Sequence, residues 1–455
     1  MPRHILIYQI FSFVEFIQIK RAVIMSNLKK HSFYVFHYSL IIIAALSLNL
    51  GIITQSIGAE ITLNQAIKKA LENDPRIKLK RSELIAKQAE TYQAGRSPNP
   101  ELGVEVENFL GSGEFSGFEK SELTFSLSQK FELGGKKQAR LNSGAAKEDV
   151  ASAVIQSARQ AVVFQTGVDF VRVLGAQREV DLLRTQKKEF INLLRPIKKR
   201  VEAGGSPEVD LVRGEIAAEE SYVALESAEI KLHTTRRQLA SNWNGLLQPN
   251  IRASGQIKLQ RREAIPIDKI ISNLKFHPRI KQWDFIKRAR ISELELQQSQ
   301  AIPDLTLGLG VRWSEEADDM AIVAQGSIPL PIYDRNRGNI DAAAERINKS
   351  SLERSEEMRR LKQQVTASYG NLHRECHRAR RYASSIVPKA KKSVTTIKEG
   401  YFGGRYTVVA LLDAISDLTK SQSVQIQSQV NCQVTAMQLR LLSGIDPFTG
   451  PVRKR

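Results

Sequence analysis

Two halves of this amino-acid sequence repeat the same succession of features at an offset of about 200 residues. The motif Asp-Pro-Arg-Ile-Lys at 74–78 corresponds to His-Pro-Arg-Ile-Lys at 277–281, and Gly204 corresponds to Gly404. A repeat of this length indicates one structural unit used twice about a pseudo-symmetric axis. The sequence therefore predicts a leader at 1–59, a first repeat at 60–245, a connecting segment at 246–265, a second repeat at 266–444 and a basic C-terminal tail at 445–455.

The leader differs in character from the rest of the chain. Lys29 and Lys30 precede a mostly apolar run at 33–53, and small residues follow it. This pattern is typical of a secretory signal peptide, which would be cleaved before Glu60, with residues 1–24 as an upstream extension. An uncleaved membrane anchor is the alternative interpretation.

Export limits where the mature chain can reside. No later segment reaches the ~20 apolar residues that a membrane-spanning helix requires, so the periplasm, the exterior and an outer-membrane β-barrel are left. The net charge is +19, and removing the five Lys/Arg and one Glu of residues 1–59 leaves +15. Because the basic residues are spread along helical segments without an aromatic stacking platform, we expect solvated helix faces and no binding of nucleic acid.

Long helices are predicted from stretches without proline whose apolar residues recur every three or four positions, which is the spacing of a coiled-coil seam. A single helix over 136–203 would be about 100 Å long, too long for a globular core. Glycine-bearing tips at 202–207 and 400–405 turn the long helices back. Each repeat is therefore predicted to hold a long antiparallel helical hairpin. The proline-free stretches are 136–195, 208–245, 337–387 and 405–443.

Shorter segments ahead of each hairpin alternate apolar and polar residues. They are centred on Val104 and Phe125 in the first copy, and span 305–313 and, more weakly, 322–328 in the second. Strands of ~9–11 residues with this alternation fit transmembrane β-strands, and hairpins on a soluble helical protein are the alternative. Lipid does not tolerate open sheet edges, and the smallest bacterial barrels have about eight strands. We therefore expect a mainly α protein in which three chains pool four strands each into a 12-stranded barrel.

These features together resemble the TolC family of outer-membrane efflux channels over about residues 60–444. The stretches 127–137 (LSQKFELGGKK) and 328–340 (IPLPIYDRNRGNI) are similar to the outer-membrane components of cobalt–zinc–cadmium efflux systems. The resemblance implies a homotrimer whose β-barrel continues as a helical tunnel through the periplasm. It also implies a gate at the tips, which a periplasmic adaptor and an inner-membrane pump of the resistance-nodulation-division type would open.

The resemblance places gate candidates near both tips. This sequence departs from the family's pattern at two positions. Tyr406, with Arg405 beside it, stands where the family has a gate arginine, and Ala410 stands where the family has an aperture aspartate. The gate link and the ion constriction are therefore expected to differ from those of better-known members. The gate candidates are Asp210, Tyr401, Arg405 and Asp413.

The tips are also the expected contact with the adaptor. A trimer of duplicated chains presents six similar tips, which would match six adaptor subunits. Glycine permits close backbone approach, because it has no side chain to obstruct a partner. The predicted contact residues are Gly204, Gly205, Gly403 and Gly404.

Basic residues directly follow the strands of each repeat. Cations at the N-terminus of a helix oppose the helix macrodipole, so another partner should favour them. At the membrane–water boundary, lipid phosphates are the expected partners, and solvated charge is the alternative. The residues are Lys136, Lys137 and Arg140 in the first copy and Arg335 and Arg337 in the second.

The two cysteines are equally far in sequence from the second tip. Cys376 lies 28 residues before Gly404, and Cys432 lies 28 residues after it. In an antiparallel hairpin, equal distance from the turn means equal height, and both cysteines fall on the apolar seam. Packed helix axes are ~8–10 Å apart, and a disulfide requires Cα atoms within about 7 Å. The sequence thus predicts a candidate disulfide in an oxidising compartment, with a pair of reduced core thiols as the alternative.

No catalytic signature accompanies these features. The Gly134-Gly135-Lys136-Lys137 stretch lacks the upstream glycine and the Ser/Thr of a P-loop. His373, Cys376 and His377 have a spacing that could hold a soft metal, but Cys376 lies in the apolar seam, so we interpret it as a core residue. We therefore predict no enzyme activity, no cofactor and no bound metal.

The most consistent function is a passive outer-membrane exit channel of a tripartite efflux system, exporting heavy-metal cations and extending into the periplasm. A channel for drugs or other small molecules is one alternative. A soluble periplasmic coiled-coil adaptor or scaffold, which never enters a membrane, is another. The expected partners are two further copies of the chain, the adaptor, the pump and outer-membrane lipid.

Overall fold

The computed structural model describes residues 60–245, 251–257, 264–446 and 450–451. The predicted signal peptide at 1–59 lies outside these residues. Parts of the predicted connecting segment at 246–265 and most of the predicted tail at 445–455 also lie outside them.

The described elements follow the same order twice: short helices, two strands and a long helical hairpin. In the first repeat they are α1 (Leu63–Asn73), α2 (Pro75–Ala94), β1 (Glu101–Glu107), β2 (Glu122–Phe131), α3 (Lys136–Glu202) and α4 (Glu208–Ser241). In the second they are α5 (Ile267–Ser272), α6 (Pro278–Gln300), β3 (Leu305–Ser314), β4 (Asp319–Ser327), α7 (Arg337–Arg381), α8 (Val387–Phe402) and α9 (Val408–Ser443).

The predicted long hairpins are confirmed. Helix α3 runs unbroken for 67 residues, about 100 Å, although Pro196 lies inside it. Its counterpart in the second repeat is α7 followed by α8, with a π-helical turn at Tyr382–Ile386 between them. This turn precedes Pro388, which has no backbone N–H to donate to the preceding turn of helix. Helix α3, by contrast, continues through Pro196 without such a turn.

The four long strands form one antiparallel sheet with the order β1-β2-β3-β4, and the described residues also include two small sheets of two-residue strands, Glu60–Ile61 with Arg252–Ala253 and Ile445–Asp446 with Gly450–Pro451. The strands β2 and β3 pair across the two repeats, with Phe125 opposite Val311. The fourth strand begins at Asp319, three residues before the predicted start at 322. No described strand pairs with the outer edge of β1 or of β4.

The register gives the sheet one apolar and one polar face. Val104, Phe125, Val311 and Ile322 form a continuous row across the four strands. Their side chains are 48% to 84% exposed, so no part of the described chain covers this face. The next row, on the other face, is Glu105, Thr124, Arg312 and Ala321.

The long helices pack side by side in the order α4, α3, α9 and then α7 with α8. Near the tips, an apolar cluster joins the two hairpins through Phe190 and Ile197 on one side and Tyr401 and Leu411 on the other. Among the described residues, no helix has the length and apolar character needed to cross a membrane.

Candidate functional site at the hairpin tips and the sheet

The two hairpins turn at equivalent glycines. Gly204 has a φ of +70° and Gly404 a φ of +75°, a conformation that favours glycine over every residue with a Cβ atom. The turns close in the same way: the Gly205 amide donates to the Arg200 carbonyl (2.8 Å), and the Arg405 amide donates to the Gly400 carbonyl (2.7 Å). The backbone of each turn therefore favours glycine at this position.

Gly205 and Gly403 do not share this requirement. Gly403 has a φ of −82°, which any residue adopts, and Gly205 is absent from the positive-φ residues of the described chain. All four tip glycines are exposed. Their predicted contact with an adaptor stays a prediction.

Arg200, which the sequence did not single out, ties the two tips together. Its guanidinium donates to the Tyr401 carbonyl (2.7 Å) and to the Gly205 carbonyl (3.1 Å). It also lies 5.2 Å from the centre of the Tyr401 ring. The only sequence signal was a basic residue in the last turn of α3, a common feature of helix C-termini.

Tyr401 is the most buried of the predicted gate residues, with 2% of its surface exposed. Its hydroxyl has no hydrogen-bond partner among the described residues. Burial raises the pKa of the Tyr401 phenol; the positive charge of Arg200 opposes this shift and the negative charge of Asp210 adds to it. Asp210 itself accepts a hydrogen bond from the Ser206 hydroxyl (2.6 Å), so its closest partner is in its own hairpin.

Two further predicted gate residues lie at the protein surface. Arg405 and Asp413 are exposed, and neither forms an ion pair within 4.0 Å in the part of the chain that the structure describes. Tyr406 stands where the family pattern has an arginine, and its ring packs against Gly400. A side chain at position 400 would clash with this ring. The structure thus brings Tyr401 and Arg200 into direct contact.

Lys136 has a partner within the protein, and its predicted contact with lipid phosphates stays a prediction. Lys136 is buried, and its Nζ lies 2.5 Å from Oδ1 of Asp304. Asp304 directly precedes β3 and also accepts a hydrogen bond from the Leu133 amide (3.2 Å). These hydrogen bonds lower the pKa of Asp304 although its burial acts in the opposite direction. The carboxylate offsets the unfavourable position of a cation at the start of α3.

Arg140 also has a partner within the protein, and its predicted lipid contact stays a prediction. Its guanidinium forms two hydrogen bonds with the Glu132 carboxylate (2.5 and 2.8 Å) and donates to the Ala94 carbonyl (2.8 Å). Hydrogen bonding to Arg140 lowers the pKa of Glu132. Because Glu132 directly follows β2, the pair fastens the end of the strand to α2 and α3.

The remaining boundary residues stay available to lipid. Lys137, Arg335 and Arg337 are exposed. The Arg335 side chain donates to the Pro331 carbonyl (3.2 Å), and Arg337 has a long, solvated contact with Asp341 (3.8 Å). Their predicted contact with lipid phosphates stays a prediction.

A disulfide joins Cys376 in α7 to Cys432 in α9, with their Cα atoms 4.8 Å apart. With its sulfur in this bond, Cys376 has no thiolate to offer a metal alongside His373 and His377, which are both exposed. The described residues include no group of three or more His, Cys, Asp or Glu side chains placed to hold a metal ion.

The polar face of the sheet is acidic. Arg312 is its central cation and contacts Glu122 (2.8 Å) and Glu107 (3.0 Å). Glu101 and Glu105 lie on the same face and form no ion pair within 4.0 Å among the described residues. Sequence reasoning noted these glutamates only as the polar half of an alternating pattern, although their number on one strand was a usable signal.

A model of the outer membrane efflux protein family matches residues 66–245 and 273–445. The chain belongs to the outer membrane efflux protein family. It is therefore an outer-membrane protein of an efflux system, and the resemblance inferred from the two sequence stretches is confirmed. The family is one of transport channels and not of enzymes.

Named relatives extend this assignment. The chain is similar to the cobalt-zinc-cadmium resistance protein CzcC of Cupriavidus metallidurans, with 25% identity over 354 residues, 78% of this chain and 83% of that protein. It is also similar to the nickel-cobalt-cadmium resistance protein NccC of Alcaligenes xylosoxydans xylosoxydans, with 24% identity over 291 residues, 62% of this chain and 63% of the relative.

A solved structure supports the fold independently. A membrane protein from Pseudomonas aeruginosa superposes with a TM-score of 0.71 at 16% identity, covering 84% of this chain and 92% of that one. Likeness at this level of identity shows a common fold.

Proposed function

We propose that this efflux protein is the passive, trimeric exit duct of a tripartite system that exports heavy-metal cations across the outer membrane. The observation that supports it best is the open four-stranded sheet, apolar on one face and acidic on the other, joined to two hairpins whose longer arms are each about 100 Å. Such a chain has both a part suited to lipid and a part long enough to reach deep into the periplasm.

The open sheet edges support the trimer. Unpaired backbone N–H and C=O groups are costly in lipid, so a membrane sheet must close on itself. Four strands per chain fall short of the about eight strands of the smallest bacterial barrels. Three copies would give twelve strands and remove both edges.

The acidic sheet face supports a cationic cargo. In a closed barrel the apolar face meets lipid, so the face with Glu101, Glu105 and Glu107 lines the lumen. Rings of carboxylates favour cations, and a pore must bind its cargo weakly so that the cargo can leave. The names of the two relatives, which confer resistance to cobalt, zinc, cadmium or nickel, agree with this choice.

The tips supply the proposed contact with the rest of the system. In a trimer, the turns at Gly204 and Gly404 would present six exposed tips to a periplasmic adaptor, which links the duct to an inner-membrane pump. The proposed gate comprises Asp210, Tyr401, Arg405 and Asp413, and Arg200 joins it through its contacts with both tips.

Growth of a strain lacking the gene, on graded cobalt, zinc, cadmium and nickel, tests the function. We expect lower resistance and higher cell-associated metal, with both restored by the wild-type gene. Sensitivity confined to organic drugs would overturn the metal assignment. Extraction of the mature protein without detergent, or a monomer by mass in detergent, would overturn the trimeric channel.

A further inference from the structure

A cleft of about 380 Å³ lies beside the first hairpin, where the short strand Arg252–Ala253 meets α3 and α4. The strand is held there because the Ala253 amide donates to the side-chain oxygen of Gln177 in α3 (3.1 Å). The buried residues Val180 and Leu232 contribute apolar surface to the cleft. Its other lining residues are polar or charged: Gln177, Asp181, Arg184, Glu229, His233, Arg236 and Arg252.

The two carboxylates of the cleft share one arginine as their partner. Arg184 lies 2.9 Å from Glu229 and 3.7 Å from Asp181. All three side chains are at least 50% exposed, so water screens these contacts. The acidic groups therefore belong to the solvated rim of the cleft and leave its other two arginines without a carboxylate.

Arg236 is the least solvated of these cations. Its Nε is buried and has no hydrogen-bond partner among the described residues. Burial lowers the pKa of Arg236, and the positive charge of Arg252 lowers it further. An arginine nevertheless stays protonated at physiological pH, so the positive charge remains in the cleft. A buried donor on a charged group is costly unless a partner satisfies it.

Arg252 adds a second unpaired guanidinium to the same cleft. It is exposed, and within the described ranges neither Arg236 nor Arg252 forms an ion pair within 4.0 Å. Glu60, which lies opposite Arg252 in the strand pairing, is not within that distance either. Two like charges thus face one cleft without a counter-charge between them.

The duplicated scaffold does not require a guanidinium at this level. At the offset of 200 residues, Ala436 of the second repeat corresponds to Arg236, and it packs against an apolar cluster. Arg252 belongs to the segment that connects the two repeats. The pair of arginines is therefore specific to the first hairpin, and its role is not explained by the fold that the two repeats share.

The geometry points to an anion as the missing partner. A guanidinium presents two parallel N–H donors that match two oxygens of a phosphate or carboxylate group. We propose that Arg236 and Arg252 bind a small oxoanion in this cleft, with His233 and Gln177 beside them at its wall. The bound oxoanion offsets the repulsion between the two arginines and fastens the connecting strand to α4.

The position of the cleft decides the source of the oxoanion. Arg184 lies 48 residues, about 72 Å, from Lys136, where α3 begins beside the sheet. Phospholipid headgroups of a membrane around the sheet do not reach that far along the helix. The ligand is therefore a soluble oxoanion, with inorganic phosphate as the simplest probe. This inference goes beyond the proposed export function and depends on no particular cargo.

Calorimetric titration of the detergent-purified protein with inorganic phosphate, at constant ionic strength in chloride, tests the proposal. We expect one saturable site per chain. Arg236→Gln and Arg252→Gln should each weaken phosphate binding at least about tenfold, because each removes hydrogen bonds to a charged group. Arg237→Gln is the matched control, since Arg237 is the exposed neighbour of Arg236 outside the cleft, and it should bind phosphate like the wild type.

Thermal unfolding gives a second readout. Phosphate should raise the unfolding midpoint of the wild type and of Arg237→Gln, and leave that of Arg236→Gln unchanged. The shift should be the same in nanodiscs of phosphatidylcholine alone and in nanodiscs with added phosphatidylglycerol; a shift that anionic lipid abolishes would assign the site to lipid headgroups.

The outcomes leave the proposal open to contradiction even if Arg236→Gln fails to fold, because the exposed Arg252→Gln tests the same site. Equal phosphate binding by wild type, Arg252→Gln and Arg237→Gln would show diffuse charge screening and overturn the site. Absence of saturable binding in the wild type would also overturn it. Metal resistance of the strain is measured separately, so either result leaves the proposed export function standing.

Discussion

Asp74 and His277 occupy the same N-terminal position on equivalent helices of the two repeats, and both are almost fully buried. The Asp74 carboxylate accepts a hydrogen bond from the Arg76 amide (2.8 Å), and His277 accepts one from the Arg279 amide through Nδ1 (3.1 Å). A carboxylate and an imidazole thus cap α2 and α6. The imidazole can do so only while Nδ1 is unprotonated.

This difference predicts a pH-dependent stability that originates in the second repeat. Burial lowers the pKa of His277, the nearby Arg279 lowers it further, and the Leu441 backbone opposes this in part. A depressed histidine pKa means that the unfolded chain binds the proton more readily. The stability contribution is therefore complete above about pH 6.5 and declines as the pH falls from there to the folded-state pKa.

Unfolding midpoints measured in detergent between pH 5 and pH 8 check this expectation. His277→Asn, which keeps a capping acceptor, should flatten the acidic part of the curve. An unchanged slope in this variant would assign the pH dependence to other groups. Asp74→Asn is the matched change in the first repeat and should leave the histidine-dependent part in place.

The bond between Cys376 and Cys432 predicts a reductant-sensitive second hairpin. The bond closes a loop with a sequence separation of 56, which corresponds to about 4 kcal/mol in the chain-entropy model. Cys376→Ala with Cys432→Ala should lower the free energy of unfolding by up to this amount, and reduction of the wild type should do the same. Thiol titration of the denatured, unreduced protein checks the bond, and two free thiols per chain would contradict it.

The buried ion pair between Lys136 and Asp304 predicts that substitutions of the neighbouring residues Lys136 and Lys137 change the free energy of unfolding by different amounts. Lys136→Met should lower the free energy of unfolding by about 2 kcal/mol, because it removes the closest cation from a nearly buried carboxylate. Lys130, 3.3 Å from Asp304, would remain as a partial substitute. Lys137→Met, on the exposed side of the same turn, should change the free energy by no more than about 0.5 kcal/mol. Equal effects of the two substitutions would contradict the pairing.

The tip glycines predict a loss of export without a loss of assembly. Bulky substitutions such as Gly204→Val and Gly404→Val should abolish metal resistance and leave the trimer intact, because the tips are proposed to meet the adaptor by close backbone approach. Measurements of resistance and of mass in detergent report the two properties separately.

Asparagine provides the control for backbone strain at these turns. It tolerates the left-handed conformation of Gly204 and Gly404 better than valine, yet still adds a side chain. Gly204→Asn with Gly404→Asn should therefore also impair export if contact with a partner is the cause. Normal export with both glycines replaced would count against the tips as the adaptor contact.

The helices and strands that could be predicted from the sequence are those with long periodic patterns of apolar residues. A seam of 67 residues and a strict alternation around Val104 and Phe125 are long local patterns, so α3 and the strands could be predicted. The partner of Lys136 could not be predicted, because Asp304 is 168 residues from Lys136 in sequence and nothing local indicates that β2 pairs with β3. The π-helical turn before Pro388 was also missed, because the apolar seam continues through it.

The bridge from Arg200 to Tyr401 predicts that a single side chain holds the tips of one chain together. Arg200 was outside the gate inferred from family resemblance, since only the folded hairpins bring residues 201 positions apart within 2.7 Å. Arg200→Ala removes hydrogen bonds to both tips and the contact with the Tyr401 ring, so the connection between the two tips should weaken. We expect a higher single-channel conductance in planar bilayers and a greater entry of large antibiotics into cells. Lys199→Ala, an exposed neighbour in the same turn, should behave as the wild type. Wild-type conductance in Arg200→Ala, with trimers of normal mass, would show that the tips are held by other contacts.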